Sequence, residues 1–83
     1  MKPPADMKNL KRSIQPMPDA VAAALRERKL EVLYLMRPAY QRNDYLSWIN
    51  RAVHEATKNK HLALMLIELE RGDIYMGMAW KTG

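Results

Sequence analysis

Residues 38–71 read PAYQRNDYLSWINRAVHEATKNKHLALMLIELER, and the phase of the apolar residues in this stretch decides between one long helix and two. Tyr45, Trp48, Ile49 and Ala52 recur at i, i+3, i+4, i+7, the stripe of an amphipathic helix. Leu62, Met65, Leu66 and Leu69 repeat the pattern, and no Gly or Pro stands between the two sets. At about 100° per residue the stripes point about 100° apart, so a straight helix cannot bury both on one core. A break near residues 54–56 turns both inward. The spacing therefore predicts a helix over 38–53, opened by Pro38, and another over 55–71, stopped by Gly72. Tyr45 and Trp48 are read as core anchors.

Upstream, Met17-Pro18-Asp19 has the form of a helix start, with Pro18 in the first turn or Asp19 as N-cap. Val21, Ala24 and Leu25 lie on one face, and Leu30, Leu33 and Tyr34 continue at helical spacing. The helix must yield near Arg37, because Pro38 disfavours the helical region there. Residues 19–36 read equally as one helix or as two joined at Arg28-Lys29. Residues 1–16 carry Pro3, Pro4 and Pro16 and the cations Lys8, Lys11 and Arg12 with little periodicity, the pattern of a flexible basic arm.

Downstream the period changes from helical to alternating. Ile74, Met76, Met78 and Trp80 fall on one side and Tyr75, Gly77 and Ala79 on the other, as in an extended segment. With no second strand evident, the tail is expected as a strap packed on the helices through its even-numbered residues. The alternative is a strand that needs an outside partner. The fold class expected is all-α, a small bundle of three to four helices with an extended C-terminal strap, in a single domain over 17–83.

Length and composition agree with that economy. A chain of 83 residues makes one domain, and surface scaling leaves roughly 5,100 Å² exposed of about 14,000 Å², enough burial for a few packed helices but not for a deep cavity. Apolar residues are 48% of the chain, Phe is absent, and seven Met with many Leu and Ala fill the core. The absence of Cys excludes disulfides, a thiol nucleophile and cysteine-ligated metal. No signal-peptide run opens the chain, and the longest apolar run, 62–67, is too short to span a bilayer. A cytosolic location without a membrane span is the expectation.

No catalytic motif is legible. Ser13 and Ser47, the only serines, lie in neither GxSxG nor SxxK, and Gly72, Gly77 and Gly83 form no phosphate-cradling loop. His54 and His61 stand seven apart without a third ligand and read as two surface histidines, so no metal and no cofactor is expected. Glu27, Glu31, Asp44, Glu55, Glu68, Glu70 and Asp73 read as solvated helix faces, with Arg28–Glu31 and Glu68–Arg71 as exposed i, i+3 pairs.

The net charge of +5 makes acidic proteins, nucleic acid and anionic membranes thinkable partners. Arg42, Arg51, Lys58 and Lys60, with Lys8, Lys11 and Arg12, could form a phosphate-contacting surface, and two helices around a short break allow a helix-turn-helix. The second of those helices is apolar on nearly every side, which suits a core or a subunit interface better than a groove of DNA. A protein partner meeting Arg42, Arg51, Lys58 and Lys60 is therefore the first expectation. Nucleic-acid regulation is the alternative, and a homodimer through 62–67 stays open.

The segments MPDAVAAAL, RPAYQRNDYLSWINRA and LALMLIELERGDIYMGMAW, with a Thr-Lys-rich stretch before the last, together resemble the bacterial YdeI/OmpD-associated family over residues 17–80. Tyr45, Trp48, Ile49 and Ala52, followed by Thr57, are the most specific part. The sequence departs where relatives often carry Pro-Glu-Thr-Arg and further arginines; here Glu55-Ala56-Thr57-Lys58-Asn59-Lys60-His61 is a milder basic cluster. The resemblance implies a helical, non-enzymatic module, linked by association to porin regulation and named for protection against bacteriocins or cationic antimicrobial peptides. Some members carry the module behind another domain, whereas here it would stand alone. No catalytic residue is carried over.

Overall fold

Two prolines and two left-handed residues punctuate the helices in the computed structural model, which describes residues 14–80. Pro18, extended at φ −63°, ψ 150°, stands before α1 (Asp19–Glu27), and Pro38, with the same backbone shape, stands before α3 (Ala39–Arg51). Each caps by its geometry, since its missing N–H would find no partner there. Lys29 at φ 59° ends the first helical run, and α2 (Glu31–Met36) follows, so residues 19–36 form two helices. The fourth helix, α4 (Glu55–Arg71), closes at Gly72 in the left-handed region, whose N–H bonds the Glu68 carbonyl at 2.9 Å. The break between α3 and α4 covers residues 52–54, slightly ahead of its expected place.

Both apolar stripes face one core. Tyr45 and Ile49 from α3 meet Met65, Leu66 and Leu69 from α4, and Val21, Leu25, Leu30 and Tyr34 close the cluster. Contacts ladder outward from the break, Asn50 with Lys58, Trp48 with His61, then Tyr45 with Glu68, so the two helices run antiparallel. The described residues form a small all-α bundle of four helices with one minimal hairpin.

That hairpin corrects the reading of the tail. Strand β1 (Ile74–Tyr75) pairs antiparallel with β2 (Met78–Ala79), with Ile74 opposite Ala79 and Tyr75 opposite Met78. Both loop residues have positive φ, 51° at Met76 and 79° at Gly77, as a type I′ turn demands. Parity holds only in part: Met76 packs against the core and Ile74 and Trp80 are half-buried, but Tyr75 packs there too and Met78 is exposed.

The expected arm over 1–16 falls largely outside the described residues, as do Lys8, Lys11 and Arg12. Its last residues are tied down. Gln15 N–H donates to Asn43 Oδ1 at 2.7 Å, and Asn50 Nδ2 donates to Gln15 Oε1 at 3.2 Å and to the Pro16 carbonyl at 3.1 Å. Two asparagines, two turns apart on α3, thus hold the entering chain against the helix.

Candidate functional site

The four cations expected to share one surface do not lie together. Arg42 and Arg51 are nine residues apart on α3, about 13 Å along the axis and half a turn around it. Arg42, half-buried, donates from Nε to the Arg37 carbonyl at 3.1 Å. Lys58 Nζ donates to the Asn50 carbonyl at 3.3 Å and complements the C-terminal end of α3, beside the exposed Arg51. Lys60 is exposed on α4. Of the four, Lys58 alone is placed near another, through its bond to the carbonyl of Asn50 next to Arg51, and it is already engaged there.

The densest chemistry surrounds Glu68, which the sequence reading placed on a solvated face. Its side chain is buried. Oε1 accepts from the Tyr45 hydroxyl at 2.6 Å and the Met76 N–H at 2.9 Å, and Oε2 accepts from the Gly77 N–H at 2.9 Å. The carboxylate holds both positive-φ residues of the hairpin turn, a backbone shape that presents successive N–H groups to an anion. Arg37, also buried, donates to Gln41 Oε1 at 3.1 Å and to the Glu68 carbonyl at 2.8 Å, with its guanidinium 4.6 Å from the centre of the Trp80 ring. Tyr75 lies edge-on to Tyr40 and Tyr45, and its hydroxyl donates to Asp44.

Burial, then the hydrogen bond to Glu68 and its charge, push the Tyr45 hydroxyl far above the ordinary tyrosine value. Tyr34 is raised by burial as well. Among the described residues no buried side-chain nitrogen or oxygen lacks a hydrogen-bond partner. The network is thus a latch between α4 and the hairpin, with its donors and acceptors turned on one another. Glu68 stands three residues after Met65, on the flank of the apolar stripe, and that position was the available signal.

Other expectations shift for local reasons. Arg28 pairs with Glu70 at 3.1 Å and Arg71 with Asp73 at 3.4 Å, in place of the expected i, i+3 pairs. Trp48 is half-buried, its indole stacked on His61 at 3.9 Å and 13°. His61 Nδ1 lies 3.1 Å from the Trp48 carbonyl, which can only accept, so Nδ1 carries the proton. His54 is exposed as expected, but His61 is a packed ring at the helix pair. Among the described residues no cluster of three His, Cys, Asp or Glu could hold a metal, and no helix is long and apolar enough to cross a membrane.

A surface the sequence reading missed lies on α2. The helix has six residues, EVLYLM, and buries only Tyr34. Val32, Leu33, Leu35 and Met36 spread over an outward arc of about 160° and are exposed, Val32 by 67% and Met36 by 71%. Grooves flank it. One of about 270 Å³ is lined by Leu33, Met36, Arg37, Pro38, Leu69, Gly72 and Trp80. Another of about 160 Å³ is lined by Met17, Ala22, Leu25, Glu31, Tyr34 and Leu35. The signal was present in the apolar run of 32–36, too rich for so short a helix to bury.

Compared with family models, with curated proteins and with solved structures, the chain finds no match.

Proposed function

We propose that this chain is a non-catalytic protein-interaction module that works through the outward face of α2. The observation that carries the reading is the apolar arc of Val32, Leu33, Leu35 and Met36, opposite in sense to the polar outer face of an ordinary surface helix. Contiguous exposed apolar surface of this kind marks protein contact sites, whereas the latched network around Glu68 offers no free acid, base or nucleophile. The biological setting follows from the resemblance over residues 17–80: a bacterial stress module protecting against bacteriocins or cationic peptides.

The test is survival of bacteria challenged with a cationic antimicrobial peptide while they produce the parent chain or a variant. Val32→Lys should abolish the protection that the parent confers. Arg51→Glu with Lys58→Glu should leave it intact. The reverse result moves the working surface to the basic end of α3, and protection indifferent to both sets of changes removes the reading altogether.

A further inference from the structure

The shape of the α2 face specifies an occupant more closely than exposure alone. A ridge of apolar side chains runs between two apolar grooves, so the surface carries both the projection and the recess of a helix contact. A surface of that form is complementary to itself. Brought together about a two-fold axis near α2, two such faces lay each ridge in the groove beside the other, an isologous contact that closes without leaving a free copy of the face. We infer that the partner of α2 is a second copy of this chain. The inference rests on the reading of α2 as the working surface and names its occupant.

Charge supports the same occupant. Each copy carries +5, yet only two charged residues line the grooves. The Arg37 guanidinium is buried and engaged by Gln41, the Glu68 carbonyl and Trp80, which leaves Glu31 as the exposed charge of the face. An acidic or polyanionic partner would find no cation there to meet, whereas a like copy brings to the face a single exposed charge, Glu31. Area is consistent as well. The four ridge side chains expose roughly 400 Å² together, about half of the 800 Å² per partner that a standard interface buries. The groove linings and a polar margin would have to supply the remainder around that apolar centre. The long-range repulsion between two basic copies remains and is screened by salt, so the dimer should tighten as ionic strength rises.

Sedimentation velocity on the full chain tests this over two decades of concentration, at low and at high salt. The expected result is a reversible monomer–dimer equilibrium with the dimer fraction rising with both variables. Val32→Lys and Leu35→Lys each place a cation on the axis twice and should raise the dissociation constant at least about tenfold. Arg51→Glu, far from the face, should dimerise at least as well as the parent. Both ridge positions are well exposed, and far-UV circular dichroism melts verify that the variants fold. A measurement without variants is the concentration dependence of amide NMR shifts: movement centred on residues 31–36 supports the contact. A parent that stays monomeric throughout, a dimer indifferent to both lysines, or shifts confined to another face overturns the inference. If the parent stays monomeric while Val32→Lys still loses cellular protection, the second copy is wrong and the interaction reading stands. A dimer through α2 with protection untouched by Val32→Lys leaves the contact and removes the functional reading.

Discussion

At Glu68 one carboxylate serves three donors from two other elements, the Tyr45 hydroxyl on α3 and the Met76 and Gly77 amides of the turn. Replacing it by Ala leaves those donors without acceptors. At about 1–3 kcal/mol for each stranded group, Glu68→Ala should cost about 3 kcal/mol or more, read from equilibrium urea unfolding. A loss below about 1 kcal/mol would mean that water substitutes freely for the carboxylate. Tyr45 supplies a pH test of the same contact. Its hydroxyl, like that of Tyr34, holds its proton in the folded state to higher pH than the ordinary tyrosine of the unfolded chain, near about 10. Above that value the folded state binds more protons than the unfolded one, so stability is full below about pH 10 and declines as pH rises further. Tyr45→Phe should flatten that alkaline decline in urea midpoints while lowering stability at neutral pH. The Trp48 side chain, half-buried on His61, should matter less than Tyr45, which is fully enclosed; Trp48→Ala should cost less than Tyr45→Ala in the same measurement.

Among the elements, α3, α4 and the start of α1 were legible because their signals are local: prolines ahead of α1 and α3, a glycine after α4, and two apolar stripes whose phases cannot share a straight axis. The sequence left open whether α1 and α2 are one helix, a division made at Lys29 in a positive-φ conformation. The hairpin was not legible, and its turn explains why. Met seldom adopts positive φ, so Met76-Gly77 does not announce a type I′ turn. The conformation is stabilised from a distance, by Glu68 accepting both turn amides and by Met76 packing on the core. The same remoteness hid the displacement of Trp48, which depends on where His61 arrives. Gly77 sits at φ 79° with open space around a would-be side chain, so Gly77→Ala meets backbone strain and no clash. It should cost about 1 kcal/mol, with Gly77→Asn milder, in thermal melts. Removal of the chain after Gly72 should lower the melting temperature much further, because Tyr75 and Met76 leave the core and Glu68 loses two donors.

On the scale of the whole molecule, a charge of +5 does not make a binding surface, because Arg42 and Arg51 project from opposite sides and ends of α3 and Lys58 supports a helix terminus. Charge reversal at the exposed Arg51 should therefore shift stability by less than about 0.5 kcal/mol. Duplex DNA should bind weakly at physiological salt. Sub-micromolar affinity by fluorescence anisotropy, with the log–log salt slope near about −3.6 that four phosphate contacts produce, would restore the nucleic-acid alternative. The candidate face on α2 escaped the sequence reading for a reason of this scale too: only the assembled bundle shows which of several apolar residues remain outside.

The latch also sets an order of events during synthesis. The chain is made from its N-terminus, and Glu68 emerges eight and nine residues ahead of the amides that complete its hydrogen bonds. At roughly 5–20 residues per second that interval is on the order of one second, long against the microseconds in which helices form. Through that interval Glu68 has no turn amide to accept from, so the contact that ties α4 to the hairpin is the last to become available. A chain cut short just past Gly72 would keep its helical segments but lack that tie, and protease should cleave it faster than the full chain.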